Sequence, residues 1–207
     1  MSEISILIVE DEPLIAEDIA AALIRNDFTV SAIVYTKEDA LDELKNNLPD
    51  VAILDINLNG QMDGIEIAEV IASRYDIPFI FLTSYSDKRT LTNAKFTEPS
   101  GYIVKPFTEA GLYSSVEIAL YNYAQKNKRN FPELKLTTLN QSLNTPISER
   151  EFQLLQLIYS GHSNKQIAAE LFISLNTVKK HINNLYLKLS ASSHSSAIAR
   201  IRELMCK

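Results

Sequence analysis

The feature that most constrains this chain is an alternation of two hydrophobic periods through its first 124 residues. Short runs, mostly apolar and β-branched, stand at residues 4–9, 29–34, 51–54, 79–82 and 102–104. Runs of that length without polar alternation suit strands buried on both faces, as in a parallel sheet. Between them, apolar residues recur at helical spacing: Ile15, Ile19 and Leu23; Leu41 and Leu44; Ile65, Ala68 and Ile71; Leu112, Val116 and Leu120. A further, weakly patterned helix is expected within residues 86–96. Strands that alternate with helices build right-handed βαβ units. The expectation is an α/β doubly wound, five-stranded parallel sheet with helices on both faces.

The pattern stops at residue 124, and residues 125–144, with Lys126, Lys128, Arg129, Pro132 and several threonines, read as a linker. Residues 145–207 read as a small all-α domain. Ser148-Glu149-Arg150-Glu151 and Ser163-Asn164-Lys165-Gln166 each have the spacing of a capping box at a helix start. Gly161 suits a helix end, and Ser174 can cap a third helix carrying Val178, Ile182, Leu185 and Leu189 inward. A last helix is expected over residues 195–204.

Charge divides the chain in the same place. Residues 1–124 hold 21 acidic and 8 basic side chains, a balance of −13, whereas residues 125–207 hold 5 and 12, a balance of +7. Two domains with different partners are implied, the basic one suited to a polyanion. Hydrophobic residues at 46% allow a buried core, and the longest apolar stretches, 6–9 and 77–82, are too short to span a bilayer. The first residues lack the basic and apolar regions of a signal peptide, and the lone Cys206 excludes an intrachain disulfide and a multi-cysteine zinc site. A cytoplasmic protein without a membrane partner is the expectation.

Chemistry-bearing residues follow four of the strands directly. Glu10 and Asp11 follow the first, Asp55 the third, Thr83 the fourth and Lys105 the fifth. Open parallel sheets form sites at the carboxyl ends of strands beside the topological switch point, so the fold would gather these groups into one crevice. Taken singly, Asp11 could serve as a helix cap before Pro13, Thr83 as a strand-end hydroxyl and Lys105 as a solvated lysine. Taken together, three packed carboxylates oppose one another's ionisation unless a cation intervenes, and a hard, oxygen-seeking Mg²⁺ relieves that conflict. The ion and Lys105 then bring the formal charge of the pocket to about zero, which admits a phosphoryl group for Asp55 to accept.

The segments Ile6-Leu7-Ile8-Val9-Glu10-Asp11-Glu12, Leu54-Asp55, Leu82-Thr83-Ser84 and Gly101-Tyr102-Ile103-Val104-Lys105-Pro106-Phe107 resemble the receiver domain of two-component response regulators, over residues 4–122. The resemblance implies a flavodoxin-like fold and a histidine kinase as phosphodonor to Asp55. It also implies Mg²⁺ held by Asp11, Asp55 and the backbone carbonyl of Asn57, with help from Glu10. Thr83 and Lys105 would touch the phosphoryl oxygens, Tyr102 would move with the switch, and the Lys105–Pro106 bond would be cis. Ser84 departs from the family, which often has alanine there, and would alter access of attacking water. The chain departs from the family in the loop over residues 56–63, which lacks the usual proline and is one residue longer.

In the second domain two helices meet at Phe172-Ile173, and the later one leaves Thr177, Lys179, Lys180, Asn183 and Asn184 available to a partner, as in a helix-turn-helix. A bare Lys-Lys pair would equally suit a solvated face. The longer pattern, with Asn164-Lys165-Gln166-Ile167-Ala168, Leu171, Ser174, Thr177-Val178-Lys179, His181 and Lys188-Leu189, resembles the LuxR-type DNA-binding domain. That resemblance implies Lys179, Lys180 and Asn183 at base edges and Lys165, Thr177 and Lys188 at the DNA backbone, with His181 structural. In the tail, residues 190–195 replace the usual glycine and the arginine after it.

The expected function is therefore a phosphorylation-controlled transcription regulator. It would bind double-stranded DNA as a homodimer when phosphorylated, with RNA polymerase as a further partner, and would catalyse only its own phosphotransfer and dephosphorylation. A constitutive DNA-binding protein with a degenerate receiver and a phosphatase using Asp55 are the rival readings.

Overall fold

The computed structural model describes residues 3–84, 95–128 and 133–205. The helix expected within residues 86–96 falls almost wholly outside them. The chain divides into one unit of Ser5–Leu120 and another of Met1–Ile4 with Tyr121–Lys207.

The first unit holds β1 (Ser5–Val9), α1 (Pro13–Arg25), β2 (Thr29–Val34), α2 (Lys37–Asn46), β3 (Val51–Asp55), α3 (Asp63–Arg74), β4 (Phe79–Ser84), β5 (Gly101–Lys105) and the start of α4 (Glu109–Lys128). All strand pairs are parallel, in the order β2-β1-β3-β4-β5. β1, β3 and β4 are central, which is why their residues Ile6–Val9, Val51–Leu54 and Phe79–Leu82 are all buried and carry no polar alternation. Successive side chains point to opposite faces. Leu7, Val9, Leu54 and Phe81 join α2 and α3 in one apolar cluster, through Leu44, Ile67 and Ile71 among others. Ile19 and Leu23 of α1 are just as buried but lie outside that cluster, against the other face.

Strand order reverses between β1 and β3, and the carboxyl ends of these two strands open the crevice in which ligands of such sheets sit. Local chemistry sets the helices that follow. Pro13 fits the first turn of α1, where its missing N–H costs nothing, and the Thr36 hydroxyl accepts from Asp39 N–H to start α2.

The second unit holds the rest of α4, then α5 (Leu136–Gln141), α6 (Glu149–Tyr159), α7 (Asn164–Glu170), α8 (Leu175–Leu189) and α9 (His194–Met205). Both expected capping boxes are present, Ser148 with Glu151 and Ser163 with Gln166, and Ser174 caps α8. Gly161 (φ 83°) ends α6 in a Schellman motif: His162 N–H donates to Leu157 O and Gly161 N–H to Ile158 O. The turn after α7 repeats the motif with Phe172 (φ 55°) at the left-handed position, which sets the angle between α7 and α8. Leu139 of α5 is fully buried with Leu155, Ile158, Val178, Ile182, Leu185 and Ile201. Asn140 clasps Ile147 through two hydrogen bonds, Nδ2 to O (3.0 Å) and N–H to Oδ1 (2.7 Å). Residues 125–144 thus include the end of α4 and all of α5, and Leu139 supplies apolar area that four short helices need.

No helix among the described residues is long and apolar enough to cross a membrane.

Candidate functional site

Three strand ends meet at the switch point. β1 delivers Glu10 and Asp11, β3 ends on Asp55, and β5 ends on Lys105, whose bond to Pro106 is cis. Glu10, Asp11 and Asp55 each bring a carboxylate oxygen within 4.8 Å of the others. Lys105 Nζ lies 2.5 Å from Asp55 Oδ2 and 2.6 Å from Glu10 Oε2. Glu10 has no exposed surface and Asp55 is 8% exposed, so both carboxylates are held largely out of water.

Burial pushes the Glu10 carboxyl up to about 7, opposed by its hydrogen bond from Lys105 and reinforced by the charge of Asp55. Burial also works against the Lys105 ammonium, but hydrogen bonds to Asp55 and Glu10 outweigh it and hold its pKa above the ordinary lysine value. The three carboxylates and one ammonium sum to −2, the charge that one divalent cation cancels. Oxygens around a six-coordinate Mg²⁺ lie about 3 Å apart when adjacent and about 4 Å when opposite. Oxygens gathered within 4.8 Å of one another can therefore surround one such ion, directly or through water. The donor set, all hard oxygen, fits that ion.

The neighbours orient this group. Asn57 N–H donates to Asp55 Oδ1 (3.0 Å), which sets the plane of that carboxylate and holds residue 57 against it. Asn59 N–H donates to Asp11 Oδ2 (2.9 Å) across 48 residues of chain, a contact missed from sequence although the Asn59-Gly60 pair is a turn signal. α3 comes in so close that a Cβ on Gly64 would stand 1.9 Å from the Asp55 carbonyl oxygen.

Thr83, one residue beyond the Leu82 that pairs with Asp55, is buried, and its hydroxyl donates to the Ser84 carbonyl (3.2 Å). Ser84 itself is exposed. Tyr102 packs its ring 6.0 Å from that of Phe81 and against the α2–α3 side of the core. Its hydroxyl is buried with no hydrogen-bond partner among the described residues, and burial raises its pKa.

In the second unit, α8 buries Val178, Ile182, Leu185, Tyr186 and Leu189 on one face. Lys180, Asn183 and Asn184 are exposed on the other, while Lys165, Thr177 and Lys179 are half-buried. The Thr177 hydroxyl shares a hydrogen bond with Ser174 (2.8 Å), and Lys179 pairs with Glu3 (2.8 Å), a residue grouped with this unit. The Lys188 ammonium lies 2.7 Å from Glu151 Oε2 and 2.9 Å from the Pro146 carbonyl. The reason is electrostatic: Glu151 serves the capping box of α6 as a part-buried anion, and the lysine neutralises it. Burial tends to raise the Glu151 pKa, but hydrogen bonds from Lys188 and Ser148 outweigh that and lower it.

Comparison with known proteins agrees with this division. The response regulator receiver domain family matches residues 6–117, and the luxR family of bacterial regulatory proteins matches residues 145–201. The transcriptional regulatory protein DesR of Bacillus subtilis is 29% identical, over 97% of each chain. A nitrate/nitrite response regulator protein homolog of Haemophilus influenzae is 30% identical, over 94% of each. Among solved structures, the signal receiver domain of a modulated diguanylate cyclase from Desulfovibrio desulfuricans G20 is 33% identical and covers 60% of this chain and 98% of that one, with a TM-score of 0.56. The receiver match alone runs over more than half of the sequence, and the chain belongs to the response regulators, those in which a receiver precedes a luxR-type DNA-binding domain.

Proposed function

We propose that Asp55 accepts a phosphoryl group from a histidine kinase and that its phosphorylation controls DNA binding and transcription through the second domain. The observation that carries the reading is the Lys105 ammonium set between Asp55 and Glu10, with Asp11 completing the carboxylate set at the switch point. Such a cluster has no evident structural purpose, because two acids held this far out of water beside a third cost stability that a packed apolar group would not.

In the proposed reaction an Asp55 carboxylate oxygen attacks phosphorus, the bond from phosphorus to the donor imidazole breaks, and that nitrogen leaves with the bonding electron pair. Asp11, Asp55 and the Asn57 carbonyl would hold Mg²⁺, with help from Glu10. When bound, the ion neutralises phosphoryl oxygens and lowers the repulsion between donor and acceptor. Lys105 moves its ammonium from the Asp55 carboxylate to the phosphoryl oxygens. Thr83 gives up the Ser84 carbonyl and turns its hydroxyl to the phosphate, with Tyr102 following. Ser84, exposed beside Thr83, governs the approach of the water that later removes the phosphoryl group.

Residues 145–207 then act as the DNA-binding domain and residues 125–144 as the connection. Lys180 and Asn183, exposed on α8, read base edges, with Lys179 beside them once released from Glu3; Lys165 and Thr177 hold phosphates. A phosphorylated homodimer would place two such helices about one turn of DNA apart, where RNA polymerase could meet it.

The test is a DNA-binding titration on genomic fragments with and without acetyl phosphate and Mg²⁺, using wild type and Asp55→Asn. Affinity should rise with the phosphodonor in wild type alone. Equal affinity in all four conditions would leave a constitutive DNA-binding protein.

A further inference from the structure

The lengthened loop over residues 56–63 has a definite shape. Leu58 and Gln61 exchange both backbone hydrogen bonds, each 2.9 Å, in an isolated antiparallel bridge. The two residues between them are both left-handed, Asn59 at φ 50° and Gly60 at φ 80°. This is a two-residue hairpin turn with positive φ at both central positions, for which Asn-Gly is the favoured pair. Leu58 is buried in the α2–α3 side of the core and anchors the turn from below. At the far end, Asp63 and Glu66 at the start of α3 both pair with Lys37, at 2.9 and 3.0 Å. The tip is thereby held above the carboxylates, with one backbone donor pointing at them: Asn59 N–H, 2.9 Å from Asp11 Oδ2.

We propose that the Asn59–Gly60 turn is a positioning device for the divalent cation, which holds Asp11 by one oxygen and so presents the other to the metal. The inference rests on the reading that Glu10, Asp11 and Asp55 bind Mg²⁺. Asp11 is only half-buried on the loop after β1, and a carboxylate there would otherwise sample several rotamers. A backbone N–H fixes it without adding charge and leaves the net charge of the pocket unchanged. Partners of this kind commonly tune metal affinity by about tenfold or more. The extra residue of the loop thus has a use: it carries the amide from the rim of the pocket onto a ligand.

Gly60 makes the idea testable, because a Cβ there would meet nothing within 4 Å. Substitution strains only the backbone and adds no clash. Asn59→Pro removes the donor outright, Gly60→Val disfavours the left-handed conformation, and Gly60→Asn retains it. Mg²⁺ is titrated into the full chain by calorimetry at pH 7.5, with a thermal melt for each variant. Asn59→Pro, which also cannot adopt the left-handed φ of the turn, and Gly60→Val should weaken Mg²⁺ binding by about tenfold and lower the melting temperature through backbone strain, while Gly60→Asn stays within about twofold of wild type and melts close to it. Wild-type Mg²⁺ affinity in a folded Asn59→Pro protein overturns the proposal; should that variant not fold, unchanged affinity in Gly60→Val does so. Asp11→Asn separates the two levels of inference. If wild type fails to bind Mg²⁺, or Asp11→Asn binds it equally well, the metal reading falls and takes this inference with it. If Asp11→Asn loses the ion and Asn59→Pro does not, only the turn's role is refuted.

Discussion

Gly64→Ala is the substitution whose outcome the structure dictates most closely. The added Cβ would stand 1.9 Å from the Asp55 carbonyl oxygen, 2.8 Å from the Asp55 carbonyl carbon and 2.9 Å from Ile56 Cα. All three are backbone atoms, so no flexible side-chain end can yield. Restoring even a tight contact of about 3 Å requires the start of α3 and the end of β3 to part by about 1 Å, and forced repacking of that kind costs about 1–3 kcal/mol. For a domain of this size about 2 kcal/mol corresponds to a fall of about 8 °C in the melting temperature. The same displacement moves the phosphoacceptor relative to Lys105, and a misplacement of about 1 Å can cost about a hundredfold in rate. The assay pairs a thermal melt followed by circular dichroism with the initial rate of labelling by acetyl phosphate at saturating Mg²⁺. A variant that melts with wild type and is labelled at the wild-type rate would refute the close approach of α3 to Asp55.

Three further outcomes follow from other parts of the molecule. Because burial raises the folded pKa of Glu10 from 4.5 to about 7, the folded receiver holds an additional proton between those values; without Mg²⁺ this contribution to stability is fully present below about pH 4.5 and is lost by about pH 7. Saturating Mg²⁺ should remove that decline, and calorimetry in buffers of different ionisation enthalpy at pH 6.5 should register proton release as the ion binds. Lys188→Met should destabilise the second unit by about 1–3 kcal/mol, since it leaves Glu151 a part-buried charge without its cation; the double change with Glu151→Leu should recover part of this in a denaturation series. Lys180→Ala should leave stability unchanged and reduce the slope of log affinity against log salt by about 0.9 if Lys180 touches a phosphate; an unchanged slope with relaxed sequence preference would mark it as a base reader instead.

Much of the scaffold was legible because it depends on local or periodic signals. The run at 51–54 marks β3 to within a residue, since a central parallel strand needs unbroken apolar sequence, and the β-branched run at 29–34 marks β2 although that strand lies at the sheet edge. Ser148, Ser163 and Ser174 announce their helices because a cap is a contact between near neighbours in the chain. The meeting of Glu10, Asp11, Asp55 and Lys105 was readable from their place after strands, which the topology alone brings together. Contacts set by side-chain packing rather than by strand topology were not readable. Lys188 has the sequence appearance of a surface lysine at the end of α8, and only tertiary packing places it beside Glu151, 37 residues earlier. Leu136, Leu139 and Leu143 recur at helical spacing, but over a stretch too short and too rich in polar residues to announce a part in the second core, and the clasp of Asn140 on Ile147 depends on the fold. The Asn59-Gly60 pair signalled a turn, but not that the turn would reach Asp11.

The central claim is that one carboxylate, Asp55, receives the phosphoryl group and needs its acidic neighbours and a divalent ion to do so. Intact-mass spectrometry of the full chain after incubation with acetyl phosphate measures this directly, with peptide mapping after borohydride trapping to locate the adduct. The account predicts a single phosphoryl addition at Asp55, present with Mg²⁺, lost with EDTA and lost in Asp55→Asn. Addition that survives EDTA, or that persists undiminished in Asp55→Asn, would contradict it.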